Sequence, residues 1–183
     1  MMSKLKWSHT NAKFGVGCCG QLRVTGSMFF SGHSLDAMVE SSAIFKGVEM
    51  NGGCLCGAVR YKSDAEPVYQ LYCHCRDCQR VSGSASAPII FFPSQGLSIE
   101  GEVTYYESKG SSGKSIYRGF CAKCGSHLFG RLERLPDLLS IRAGTLDDPA
   151  AFQPQLHIHA SQAAPWEYID PSLRSFPHDV PQR

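Results

Sequence analysis

Val68-Tyr69-Gln70-Leu71-Tyr72-Cys73-His74-Cys75-Arg76-Asp77-Cys78 places three thiols in six residues at the end of an apolar, aromatic run. The run over 68–72 predicts a strand, with Cys73 at its end. Side chains alternate along extended backbone, so the sulfurs of Cys73 and Cys75 point one way and His74 the other. A tight turn through Arg76 and Asp77 then returns Cys78 to the same point. Three thiols from one strand end can converge on a single ion at little loop-closure cost.

Two further clusters flank this one. Cys54-Leu55-Cys56 lies upstream and Cys121-Ala122-Lys123-Cys124 lies downstream, so seven of the nine cysteines sit at short ligand spacings. Thiolates are soft donors, and zinc takes them tetrahedrally. A closed structural site consumes four sulfurs and leaves three. Three protein ligands and one exchangeable position are the usual form of a catalytic zinc. The count alone therefore points to two zinc ions, one structural and one working, without saying which cluster joins which.

The bulk properties are those of an ordinary globular chain. It has 183 residues, with 43% hydrophobic and 19% charged, enough for one domain with an extension. No apolar run approaches the ~20 residues of a membrane span. Lys4 and Lys6 are followed by no continuous apolar segment of signal-peptide length. The expectation is a cytoplasmic protein that does not enter a membrane. In a reducing compartment clustered cysteines are ligands, and the odd count argues against a secreted disulfide framework. The net charge of +2 arises before Met50, where five basic residues face three acids; thereafter the two signs cancel. A nucleic-acid module carries a basic face, so no nucleic-acid partner is expected.

Residues 1–49 read differently from the rest. Apolar spots such as Phe29-Phe30 and Ile44-Phe45 recur without a sustained period, and the vicinal Cys18-Cys19 has diverging side chains unsuited to clamping one metal. A short helix over 34–43 is the one element expected there. This segment is expected to be a poorly ordered extension, with the organised domain at 50–183 ending in a Pro-rich tail.

From Met50 onward the pattern is short strands between Gly and Pro turns. Asn51-Gly52-Gly53 is a turn signal. Strands are expected over 58–62, 87–92, 97–99, 103–106, 115–120, 127–131, 138–143 and 155–160, with a helical turn within 146–152. Gly125, closing the second knuckle, is placed to adopt a positive φ. Scarcely any helix-length period is present. The fold class expected is mainly β.

Several separate motifs now fall in one order: Gly53-Cys54-Leu55-Cys56-Gly57-Ala58-Val59-Arg60-Tyr61, Cys73-His74-Cys75-Arg76-Asp77-Cys78, Ser82-Gly83-Ser84, Arg118-Gly119-Phe120-Cys121-Ala122-Lys123-Cys124-Gly125-Ser126, and Gly144-Thr145-Leu146-Asp147-Asp148-Pro149. With His157 and Pro165-Trp166 they closely resemble the glutathione-dependent formaldehyde-activating enzyme family, whose zinc domain also occurs in centromere protein V. The resemblance runs from about Met50 to Trp166. It implies a small Mss4-like, zinc-bound β fold built from short strands. It further implies that Cys54, Cys56, Cys121 and Cys124 hold the structural zinc, and that Cys73, Cys75 and Cys78 hold the catalytic one. The reaction implied is that of a carbon–sulfur lyase similar to S-(hydroxymethyl)glutathione synthase. Its partners would be a small glutathione-like thiol and a small carbonyl such as formaldehyde.

Residue by residue, other roles stay open. A fourth ligand, His74 or His127, would close the second site and leave a noncatalytic zinc module that binds another protein. Arg76 and Arg80 can hold a substrate carboxylate or form surface pairs. Ser82 and Ser84 can donate to an oxyanion or simply make a turn. His157 and His159 alternate onto one face as a proton donor and its neighbour, or as buried strand histidines. Trp166 is expected in the core or in a pocket wall.

Overall fold

Strand β3, Tyr69–Cys73, lies inside an eight-stranded sheet. The structure is a computed structural model and describes residues 49–181. The expected helix at 34–43 and the Cys18-Cys19 pair lie outside the described residues.

The other strands are β1 (Met50–Gly53), β2 (Arg60–Ser63), β4 (Ala87–Pro93), β5 (Leu97–Glu100), β6 (Thr104–Lys109), β7 (Ser115–Phe120), β8 (His127–Leu132), β9 (Leu138–Arg142), β10 (Leu156–Ile158) and β11 (Arg174–Ser175). The large sheet runs β11-β10-β3-β4-β9-β8-β7-β6, and a small sheet runs β1-β2-β5. The fold is mainly β, as expected. One element departs from the turn expected after Cys75: Arg76–Ser82 is an α-helix, α1. Asp77 in its first turn complements the helix dipole, and Gly83 ends it at φ 63°. Strand β1 carries a turn signal in its glycines. It pairs with β2 nonetheless, and a Cβ at Gly52 would fall 2.2 Å from the Tyr61 hydroxyl. Glycine is there to let the strand approach that ring.

The large sheet is apolar on both faces, which is why β4 reads as a continuous run, Ala87–Pro93. One face carries Ile90, Phe92, Phe129, Leu139 and Ile141, packed against Val59 and Tyr61 of the small-sheet segment. Phe92 and Phe129 are fully buried there, each contributing roughly 2–3 kcal/mol of burial. Tyr61 meets Phe129 edge-on, and its hydroxyl donates to Thr145 Oγ1 at 2.9 Å. Burial pushes that phenol up to about 12.

The opposite face carries Leu71, Cys73, Ile89, Phe91, Leu156 and Ile158. Register aligns it across the strands: Phe91 pairs with Ser140, Ser140 with Gly130, and Gly130 with Arg118, while Ile89 pairs with Arg142. Side chains at paired positions share a face. Two arginines are thereby set on the same face as Cys73. Gly130 keeps the middle of that row low, since a Cβ there would lie 2.6 Å from Ser140 Oγ.

Candidate metal centres and the adjoining cavity

The seven clustered cysteines are free thiols gathered into two groups. Cys54, Cys56, Cys121 and Cys124 form one, and Cys73, Cys75 and Cys78 form the other; within each, the sulfurs lie within 4.8 Å of one another. The first group joins two loops far apart in sequence. One follows β1, and the other is a knuckle closed by Gly125 at φ 75°. Backbone amides serve the sulfurs: Val59 N–H donates to Cys54 Sγ at 3.2 Å. Ser126 Oγ lies 3.2 Å from Cys124 Sγ and pulls that thiol down to about 5.

The second group spans the end of β3 and the start of α1. Cys75 is the N-cap of the helix, and its sulfur accepts the Cys78 backbone N–H at 3.4 Å. The Cys78 thiol is pulled well down, first by hydrogen bonds from Cys73 and Cys75 and further by the Arg142 guanidinium. Hydrogen bonding with Cys75 and Cys78, and then burial, push Cys73 up. Either group fits a metal ion: the sulfurs are unpaired and convergent, and N–H donors point at them, as thiolates require. An all-sulfur donor set suits zinc.

Among the described residues no histidine or carboxylate joins either group. His74 is fully buried and hydrogen-bonds His157 at 2.9 Å, so it faces away from the sulfurs as alternation requires. Burial lowers both rings, and the Tyr72 ring stacks on His157. His127 is also held apart. Burial, then Arg142 and Arg118, push it down to about 3, and neither ring nitrogen has a hydrogen-bond partner.

The three-cysteine group opens onto a cavity of about 400 Å³. Its floor is the sheet face bearing Ile89, Phe91 and Ile158, and its wall includes α1 and the loop after β6. Lys109, Arg76, Arg118, Arg134 and Arg142 line it against two carboxylates, Asp77 and Asp179. Arg118 is 5% exposed and reaches from β7 to Asp77 of α1, at 3.5 Å, and to Ser108. Arg142 Nε and Nη1 are buried without a hydrogen-bond partner.

Several sequence readings are sorted by this geometry. Arg76 lines the cavity and Arg80 does not. Ser82 Oγ donates to the Cys78 carbonyl, finishing the helix. Trp166 is 75% exposed, contrary to the core or wall position expected for it. His157 and His159 part company because β10 ends at Ile158 and His159 turns left-handed, φ 55°. No ligand spacing in the sequence assigns Arg118, Arg142 or Asp179 to this cavity, yet all three line it. Only strand register and the folded tail bring them to the cavity.

The comparisons with known proteins agree with the motifs. The family model described as glutathione-dependent formaldehyde-activating enzyme matches residues 49–162. A Halomonas elongata protein, whose name of glutathione-dependent formaldehyde-activating enzyme is itself provisional, is 24% identical over 135 residues, covering 66% of this chain and 81% of that one. A crystal structure of a Rhodobacter sphaeroides protein aligns at a TM-score of 0.45 and 21% identity, covering 55% of this chain and 93% of that chain. With its motifs in order and well over half its length matched, the chain belongs to the glutathione-dependent formaldehyde-activating enzyme family.

Proposed function

We propose that this protein is a zinc-dependent carbon–sulfur lyase. It would join a small anionic thiol of the glutathione type to a small carbonyl such as formaldehyde, or cleave the adduct. The observation that carries the reading is the contrast between the two cysteine groups. Four sulfurs make one complete set, whereas the other stops at three and borders a cavity. Cys54, Cys56, Cys121 and Cys124 would hold a structural zinc, and Cys73, Cys75 and Cys78 a second. Zinc held by three thiolates supplies a place where a further thiol ionises near neutral pH yet stays nucleophilic.

The chain's own residues do the rest. The excess of guanidinium groups attracts a thiol that carries carboxylates, and Arg118 and Arg142 offer planar donors for them. Ile89, Phe91 and Ile158 provide an apolar floor that limits water beside the sulfurs. Seven free thiols suit a reducing, cytoplasmic setting. A noncatalytic module that binds another protein is the weaker reading, because it gives no reason for a cationic cavity at the three-sulfur group.

Exchange spectroscopy on formaldehyde and glutathione tests the proposal. The zinc-loaded protein should speed their interconversion with the adduct, and Cys75→Ser should remove the gain. In a cobalt-substituted sample a small thiol should alter the metal's absorption. No acceleration together with an unchanged cobalt spectrum would leave the binding module as the better account.

A further inference from the structure

Gln79 is buried in α1, at 6% exposure, and both polar ends of its side chain are engaged. Its amide nitrogen carries two protons. That nitrogen donates to the His74 carbonyl at 2.6 Å and to the Gln162 carbonyl at 2.8 Å. Its Oε1 accepts from Arg76 Nη1. A buried amide saturated in this way locks the segments it joins, because leaving either carbonyl bare away from water is costly.

The acceptors set this side chain apart from an ordinary core glutamine. His74 stands between Cys73 and Cys75, and its N–H donates to the Ile158 carbonyl at 3.0 Å. With Gln79 on its C=O, both backbone polar groups of the residue linking two candidate ligands are tied. The planar peptide from His74 to Cys75 then fixes where the Cys75 side chain starts. Gln79 also follows Cys78 directly, and its own N–H donates to the Cys75 carbonyl at 3.0 Å. On the far side, Gln162 closes the short turn Ala160–Gln162 after β10, and its Oε1 accepts the Arg76 N–H at 3.0 Å. That N–H belongs to the first turn of α1, where the helix offers no acceptor of its own. One glutamine thus joins the end of β3, the helix carrying Cys78 and the turn after β10.

We infer that Gln79 is a positioning residue of the three-sulfur metal site, holding Cys75 and Cys78 in convergence through the His74 and Gln162 carbonyls. This rests on the zinc reading of that group and is independent of the lyase reaction. Ligands already oriented lose little freedom when an ion binds, whereas ligands on a loosened strand end must be ordered at that moment. Groups that orient metal ligands from behind change metal affinity by about 10–100-fold. The side-chain bonds of Gln79 all lie around the three-sulfur group, so the four-sulfur group serves as an internal reference.

Titration of the full-length protein with cobalt and zinc, in competition with a chelator, tests the role. Gln79→Glu keeps the acceptor facing Arg76 and removes both donors; Gln79→Met keeps the length and removes every polar atom. Each should weaken the three-sulfur site about 10–100-fold and broaden its thiolate-to-cobalt absorption. The four-sulfur site should keep its wild-type affinity. A glutamine that only stabilises the fold would lower the melting temperature and leave both affinities of the folded variants unchanged, and that result overturns the inference. An equal loss at both sites overturns it as well. Proton exchange in wild type gives a check that no variant's folding can affect. The Gln79 side-chain amide should exchange with solvent far more slowly than that of the exposed Gln95. Equal exchange would show that the bonds to His74 and Gln162 are not held, which also overturns the role. A fully loaded wild type with one ion removes the zinc reading, and this role falls with it; two ions in wild type with unchanged variants overturn this role alone.

Discussion

Cys75 Sγ accepts the backbone N–H of Cys78 at 3.4 Å, so one side chain both caps α1 and stands in the three-sulfur group. Helix start and candidate metal site are thus one local structure, which places Cys78 one turn after Cys75 in a fixed orientation.

This dual role separates two variants. Cys75→Ser and Cys75→Ala both delete a sulfur, but serine is a good N-cap and alanine a poor one. The serine protein should be more stable than the alanine protein by about 1 kcal/mol. Urea denaturation of the two proteins would measure the difference. Equal midpoints would show that the cap contributes nothing.

Metal content should follow the four-and-three division. Fully loaded wild type is expected to carry two zinc ions per chain by elemental analysis. Cys124→Ser should unfold the domain, because structural zinc contributes on the order of 10 kcal/mol in small peptides. Cys78→Ser should release one ion with little change in far-UV circular dichroism. A single ion in loaded wild type would refute the division.

Stability should show the Asp179 ion pairs in a defined pH window. Asp179 is held below the usual carboxylate range, first by His159, so its contribution is lost as pH falls through its folded pKa. His159 is raised, first by Asp179, so its contribution is present below about pH 6.5 and fades as pH rises through its folded pKa. Asp179→Asn should therefore cost most between about pH 4 and 6.5, by roughly 1 kcal/mol. The cost should be smaller near pH 9, where Arg134 remains the partner of Asp179. Melting curves at three pH values would reveal a flat penalty if the pairs contribute nothing.

We propose residues 1–49 as a dispensable extension and 50–183 as the working domain. Met50 is 1% exposed and pairs with Ser63, so a chain shortened to start just before Glu49 avoids burying a new charged terminus. It should retain both metals and melt within a few degrees of the full chain. A large drop, or loss of one metal, would show that the extension docks on the domain.

Elements whose cause is local are legible in the residues alone. Alternation and Gly/Pro breaks placed strands such as Ser115–Phe120 and Leu138–Arg142, and ligand spacing marked all seven clustered cysteines. The helix after Cys75 escaped because seven residues carry too little periodicity, and its start signal was a sulfur in place of the usual hydroxyl or carboxylate cap. Met50–Gly53 escaped because its glycines serve a long-range approach to Tyr61. Spacing alone leaves open which sulfurs assemble; the fold gathers them in the two sets that the family resemblance implies. Cys56 and Cys121, 65 positions apart, meet at 3.8 Å through loop closure that spacing does not encode. Tertiary structure also decided the cavity's charge. Arg118 and Arg142 share the face of Cys73 through register across five strands, and Asp179 reaches His159 only because the tail adds a parallel strand beside β10. Local pattern sets which way a side chain points along its own strand; which charges become neighbours depends on pairings between segments distant in the chain.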